Sequence, residues 1–544
     1  MRQDNGNGDN QRSNLNRRRF MEITGKGLMA GATVGALGFF PSTSTAGGEL
    51  AQEQLLKIGT LSGDIVLPMD PMYCFWEAPW LHFIYNGLIR MKPGDEGIDK
   101  LEPDLATDYS LSDDKTVYTF KLRPGVQFHK GYGECTAEDV LFSFDRLIND
   151  PQSTRKEVYK NIDKVEAPDD GTFKVYLKKP NYFYLVHLMA YISSRVVSKK
   201  AVHDLGEKFK YNPIGTGPFY VEEYKAKDRV VFKRHEDYYR GTPVIEQIDW
   251  LFMPDLNSRM MAIEKGDIHM IRAVRSGDLV RRLTAKGVVC DGYPGTGGWA
   301  HFNLYDDLFK DKKIRQALFY ATDREAIAQY YGAVAVPMWG MIPPEFDGAV
   351  EYPDKYRYNP EKARELLAEA GKPDGFSFST DITRDSQRLD AMEMLQSQWK
   401  KVGVNMELNM MEHAAFLNKV RKGAMPLMIQ PGIKPTIDSF METFFYGPSC
   451  YQEPTSILNC SCYGKAIDGV DDQILKARVT FDQEERNAIY QKIQDQLMED
   501  VPAIPVYNFV DNEARRPNVD LGYDFKLVFN YFYRITENTR ILKP

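Results

Sequence analysis

The sequence predicts an α/β protein with more than one domain, and three observations carry this. The chain has 544 residues, whereas single cores stop growing at about 250–300 residues. In its second half, segments with apolar residues at helical spacing are followed by β-branched runs, the order that builds α/β layers. The run Leu101 to Leu147 writes a strand, a tight turn and a helix start in succession.

The first residues read as an address. Asn16-Arg17-Arg18-Arg19-Phe20-Met21-Glu22 resembles the twin-arginine export motif, a Gly/Ala-rich apolar run extends from Gly27 to Phe40, and Ser44-Thr45-Ala46 supplies small residues for cleavage after Ala46. The apolar run is too short and too rich in glycine to span a bilayer comfortably, so an exported, soluble mature protein is expected rather than an anchored one. Residues 1–46 hold six basic and three acidic residues; without them 63 basic and 73 acidic residues remain. That balance argues against nucleic acid or an anionic membrane as partner. Six cysteines in an exported chain suggest disulfides. Cys450 with Cys460 or Cys462 is the expected bridge, with a three-cysteine metal site as the alternative; Cys74, Cys135 and Cys290 are left free or pair across the fold.

Leu55 to Leu61 is the first expected strand. The loop after Asp70-Pro71 carries Tyr73, Phe75 and Trp76; three aromatics so close together suit stacking on a partly apolar ligand, or else they pack a core. A helix bearing Trp80, Phe83, Ile84 and Leu88 should follow. Thr116 to Leu122 alternates with period two and reads as a strand, stopped by Arg123-Pro124-Gly125. Thr136 is the expected N-cap, with Asp139 three residues on and Val140, Leu141 and Phe144 as the apolar stripe. His129 has no second ligand spaced with it and reads as structural. Asp169-Asp170-Gly171 reads as a hairpin turn. Asn212 to Phe219 (NPIGTGPF) has glycines but no GK[ST], so it reads as a tight turn into a strand and not as a phosphate cradle. Arg229–His235 and Ile248–Pro254 read as further strands, and the helix Leu256–Lys265 ends at Gly266.

Tyr293 to Leu304 (YPGTGGWAHFNL) is expected to cross between domains, with Trp299 as a ligand-contact candidate. Beyond it lie a helix opening at Asp311, a helix capped by Asn359 with Pro360 at its first position and Gly371 after it, a helix from Met392 to Val402, and a strand from Val404 to Leu408. A last long helix runs from Asp482 to Leu497, and the strand Ala503–Tyr507 should carry the chain back.

Several of these runs together resemble the family 5 extracellular solute-binding proteins, the peptide/nickel/oligopeptide receptors of ABC importers. They are Glu102-Pro103-Asp104-Leu105-Ala106, Tyr118-Thr119-Phe120-Lys121-Leu122-Arg123, Gly125-Val126, Phe128-His129, Thr136 to Arg146, and the 212–219 turn. Tyr109 stands where the family usually has Trp. The resemblance implies a two-lobed periplasmic-binding-protein fold (type II, cluster C-like) with an extra subdomain in the first lobe. Residues 47–88, 200–297 and 510–544 would form lobe I, 89–199 its subdomain and 298–509 lobe II. It also implies capture of a small solute between the lobes without chemistry or cofactor. The partners would be an ABC permease and its ATPases, with a monomeric receptor in the periplasm of a Gram-negative cell that meets the membrane only through the permease.

In peptide-binding relatives a W-x-x-D-x-x-DP-like loop sets an acidic residue against the peptide's ammonium. In the corresponding run from Gln430 to Phe440, with Asp438 and Phe440 holding the register, Ile433 stands in that place and Lys434 follows. Burying an ammonium without a carboxylate is costly. The expectation is a peptide-like or amino-acid-derived solute that is anionic or lacks a free amino terminus, for example an acylated, carboxylated or opine-like compound, with Arg272 and Arg275 as further positive candidates. Two other readings compete. One is a metal or haem receptor of the same fold, leaning on His301, His413 and the Cys450–Cys462 cluster. The other is a twin-arginine-exported cofactor enzyme, for which no flavin, haem or metal-cluster motif speaks; the sequence also has no G-x-S-x-G, HExxH or P-loop motif.

Overall fold

A computed structural model describes residues 48–60, 68–73, 80–96, 100–185, 194–272, 274, 276–383, 386–450, 459–526 and 533–544. It falls into two compact units: a continuous one, Pro294–Val510, and a split one made of Phe40–Tyr293 and Asp511–Pro544. The expected signal sequence, Phe75, Trp76, Cys74 and Arg275 lie outside the described residues.

In the split unit, Leu55–Thr60 pairs in parallel with Gln247–Phe252 and with Met270–Ile271. Gln247–Phe252 continues antiparallel into Arg229–Arg234 and then Phe219–Lys225. The helix expected to reach Leu88 stops at Ile84, and Tyr85 is already extended. The reason lies in the 212–219 turn. The Gly217 N–H donates to Ile84 O at 2.8 Å, and Cβ atoms at Gly215 and Gly217 would collide with the Ile84 and Phe83 carbonyls. These glycines let one backbone lie against another. His129 holds the turn from the other side: Nε2 lies 2.9 Å from Gly217 O, and Nδ1 accepts the Gly215 N–H at 3.3 Å.

A four-stranded antiparallel sheet, in the order 106–111, 117–122, 172–177 and 162–169, sits in the same unit. The helix Ala137–Asn149 packs on it through Phe144, whose ring centroid is 4.9 Å from that of Phe173. Thr136 Oγ1 accepts the Glu138 N–H and Asp139 Oδ2 accepts the Thr136 N–H, so the N-terminus is capped reciprocally. The strand expected to end at Val165 runs on to Asp169 through Pro168. It is an edge strand, where a missing N–H costs no ladder bond.

Two strands carry the chain between the units: Val289–Phe302 outward and Ala503–Arg515 back. The return strand is longer than the apolar run that announced it, and all thirteen of its residues are buried. Asn508, Asp511, Asn512 and Glu513 break the hydrophobic pattern. Buried polar groups persist only with partners, and Asn508 shows them: its Oδ1 accepts the Gly295 N–H at 3.2 Å, and its Nδ2 reaches Glu345.

The continuous unit pairs Gly297–Phe302 with Leu427–Gly432 antiparallel. Phe376–Thr383 lies parallel to Val404–Met411, with the helix Ser386–Lys400 joining them, a βαβ connection. Asn359 Oδ1 caps Pro360–Glu369 through the Lys362 N–H at 2.9 Å. Cys450 is bonded to Cys462. Cys460 lies elsewhere, buried with Phe416, Val420, Met425 and Met428.

Candidate ligand-binding site

The run that the sequence marked, Gln430 to Phe440, leaves a strand, turns, and enters the helix Ile437–Phe444. Thr436 and Ser439 cap that helix reciprocally: Ser439 N–H to Thr436 Oγ1 at 3.2 Å, and Thr436 N–H to Ser439 Oγ at 3.1 Å. Its apolar face, Phe440 and Phe444, meets the crossing strand through Trp299, with ring centroids 5.7 and 4.9 Å away. Asp438 is spent internally. Arg478 Nε donates to both its oxygens at 3.2 and 3.1 Å, and the Tyr490 hydroxyl donates at 3.2 Å.

Trp299 has no exposed surface, and its indole N–H donates to Met341 O at 2.9 Å. Cβ atoms at Gly297 and Gly298 would strike the Trp299 and Tyr507 rings, so both glycines make room for aromatic side chains. In this structure Trp299 is a core residue of its unit. Ile433 is buried, and its Cδ1 lies 3.3 Å from where a Cβ on Gly295 would stand. Lys434 is half-buried, with Nζ 5.9 Å from the Phe444 ring centroid. Burial pushes its amine down to about 8, against the pull of Glu442, which still leaves it mostly protonated at neutral pH. It makes no ion pair among the described residues.

The structure therefore gathers Trp299, Ile433 and Lys434 into one unit around the 437–444 helix. Tyr73 and Arg272 belong to the other unit. Tyr73 donates its hydroxyl to Gln152 Oε1 at 2.6 Å, with Lys210 Nζ 4.7 Å from its ring centroid. Arg272 is half-buried just after Ile271. His301, which the metal reading leaned on, is buried between Phe444 and Phe445.

Sequence reasoning missed Glu345. Asn508 Nδ2 lies 3.2 Å from each of its oxygens. Burial pushes its carboxyl up to about 7, opposed by its own N–H and by Asn508 and helped by Glu351. A lone Glu after Pro343-Pro344 carries no local signal of this environment. The Asn in the 503–515 strand, polar within a buried run, was the one available hint.

A family model described as bacterial extracellular solute-binding proteins, family 5 middle, matches residues 100–450. The chain belongs to this family. It is 31% identical to the dipeptide-binding protein of Escherichia coli (strain K12) over 475 residues, 81% of this chain and 86% of the relative. It is 28% identical to the glutathione-binding protein GsiB of Salmonella typhimurium over 499 residues, 89% of this chain and 93% of that one. Among solved structures, MoaA from A. tumefacien R10 in complex with mannopinic acid superposes with a TM-score of 0.78 at 28% identity, covering 90% of this chain and 100% of that chain. The periplasmic binding protein DppA from Helicobacter pylori, in complex with peptide STSA, gives 0.74 at 25% identity, covering 90% and 98%. The fold is that of the two-lobed family 5 periplasmic binding proteins. This family member shares its fold with proteins that bind solutes for ABC transporters, and no helix among its described residues is long and apolar enough to cross a membrane.

Proposed function

We propose that this family member is the solute-capturing component of an ABC importer, exported by its twin-arginine signal and working in the periplasm of a Gram-negative cell. Its cargo is a peptide-like or amino-acid-derived compound that is anionic or lacks a free amino terminus. The observation that carries this is the 430–440 run: an apolar Ile433 and a half-buried Lys434, without an ion pair among the described residues, where an ammonium would need a carboxylate. Asp438, the nearest acid in that run, is already committed to Arg478 and Tyr490. Relatives described as binding a dipeptide, glutathione or mannopinic acid support a peptide-like or amino-acid-derived solute, and the absence of a free amino terminus rests on the 430–440 run alone. Titration calorimetry should find weak or no binding for unmodified di- and tripeptides, and tighter binding for N-acylated or N-carboxyalkylated amino acids. Submicromolar binding that requires a free amino group would overturn the proposal.

A further inference from the structure

Glu345 is held differently from Asp438 and Asp381 of the same unit. Asp438 has Arg478 and Asp381 has Lys419 Nζ at 2.6 Å. Glu345 is half-buried and makes no ion pair among the described residues. The charged group acting on it is another acid, Glu351. Its position is nonetheless closely held. Gly295 donates its N–H to Asn508 Oδ1, which fixes the amide so that the NH₂ faces both Glu345 oxygens. Two prolines precede it and stiffen the chain that leads to it. A carboxylate accepts about four hydrogen bonds, and Asn508 has only two N–H groups to give. Gly295, at φ +136, sits at the other end of this network with its α-carbon turned to Ile433, the position at which the sequence carries no acid.

We propose that Glu345 is a specificity-determining residue that receives a cationic N–H donor of the solute, so that the cargo carries a positive group apart from the negative end read at Lys434. This rests on the reading of the cargo given above and narrows it to amino-acid derivatives with a substituted, still basic nitrogen. A carboxylate kept out of water without a counter-charge is a cost to the empty protein, and an arriving ammonium offsets it.

Two arms test this. In the empty protein, a carboxyl whose folded pKa lies above its unfolded value costs stability once the pH exceeds both, and costs none below both. Glu345→Gln keeps the shape and an oxygen for Asn508. It should raise the unfolding midpoint at pH 8.5 and leave it unchanged at pH 3.5. A midpoint lowered equally at both pH values would make Glu345 a structural residue and overturn the inference. In the second arm, calorimetry compares N-carboxymethylglutamate, N-acetylglutamate and the dipeptide Ala-Glu. Glu345→Gln should weaken the first at least about 30-fold and leave the second, already weaker, unaffected. If N-acetylglutamate binds the unaltered protein as tightly as N-carboxymethylglutamate, the role of Glu345 falls while the proposed function stands. If Ala-Glu binds best and is lost in Glu345→Gln, the proposed function falls while Glu345 keeps its role. If no probe binds, the unfolding arm decides.

Discussion

His129 and His301 are both fully buried, and burial pushes each imidazole down to about 3, with His235 adding to the effect at His129. In the unfolded chain an imidazole takes its proton near pH 6.5. The folded state thus favours the neutral rings. Their stabilisation is complete above pH 6.5 and is lost as the pH falls toward 3. At pH 5 each should cost roughly 2 kcal/mol relative to pH 7, measurable by denaturant unfolding at the two pH values. His301 has no hydrogen-bond partner on either ring nitrogen among the described residues. Its replacement by Leu should remove its share of the acid sensitivity without lowering stability at pH 7. Trp299→Phe keeps a ring but strands the Met341 carbonyl, and should cost about 1–3 kcal/mol with solute affinity unchanged. An affinity loss at unchanged stability would restore Trp299 as a ligand contact. The expectation of a binding tryptophan came from its place in a crossing strand. The two glycines before it were legible as permissive positions, but not as the seat for its own ring and that of Tyr507.

At the scale of elements, local chemistry was legible wherever a cap or a glycine marks an end. Thr136, Asn359 and Gly266 do in the structure what their residue types promise. Thr136→Ala should cost about 1 kcal/mol, read from the urea midpoint at constant m. The misjudged ends were those set by distant partners. Ile84 ends its helix because Gly217, more than a hundred residues on, takes its carbonyl. Pro168 stays in a strand because that strand is the edge of its sheet among the described residues. The disulfide choice between Cys460 and Cys462 was open in the sequence, since both lie in one short segment; the structure turns Cys460 into an apolar cluster and leaves Cys462 to Cys450. Closing a twelve-residue separation, the bridge should contribute roughly 3 kcal/mol. Cys450→Ser with Cys462→Ser should lower the unfolding midpoint accordingly, while Cys460→Ala, which keeps the cluster apolar, should lower it by less.

For the whole molecule, the family was legible because its marks are long runs that fix turns and caps. The cargo was less legible, because on the proposed reading it is recognised by a few side chains drawn from separate segments: Lys434 from one loop and Glu345 from another, the latter held by Asn508 of the return strand. Only the missing acid at Ile433 could be read along the chain; the acid at Glu345 acquires meaning from Asn508 and Gly295, which lie far from it in sequence. The proposed function asks none of these groups to make or break a covalent bond in the solute. The most direct measurement is to incubate stoichiometric protein with the tightest-binding compound of the calorimetric panel, denature the complex and weigh what is released by mass spectrometry. The account predicts one equivalent of solute, of unchanged mass at every time point; a product accumulating with time and enzyme-like turnover would contradict it.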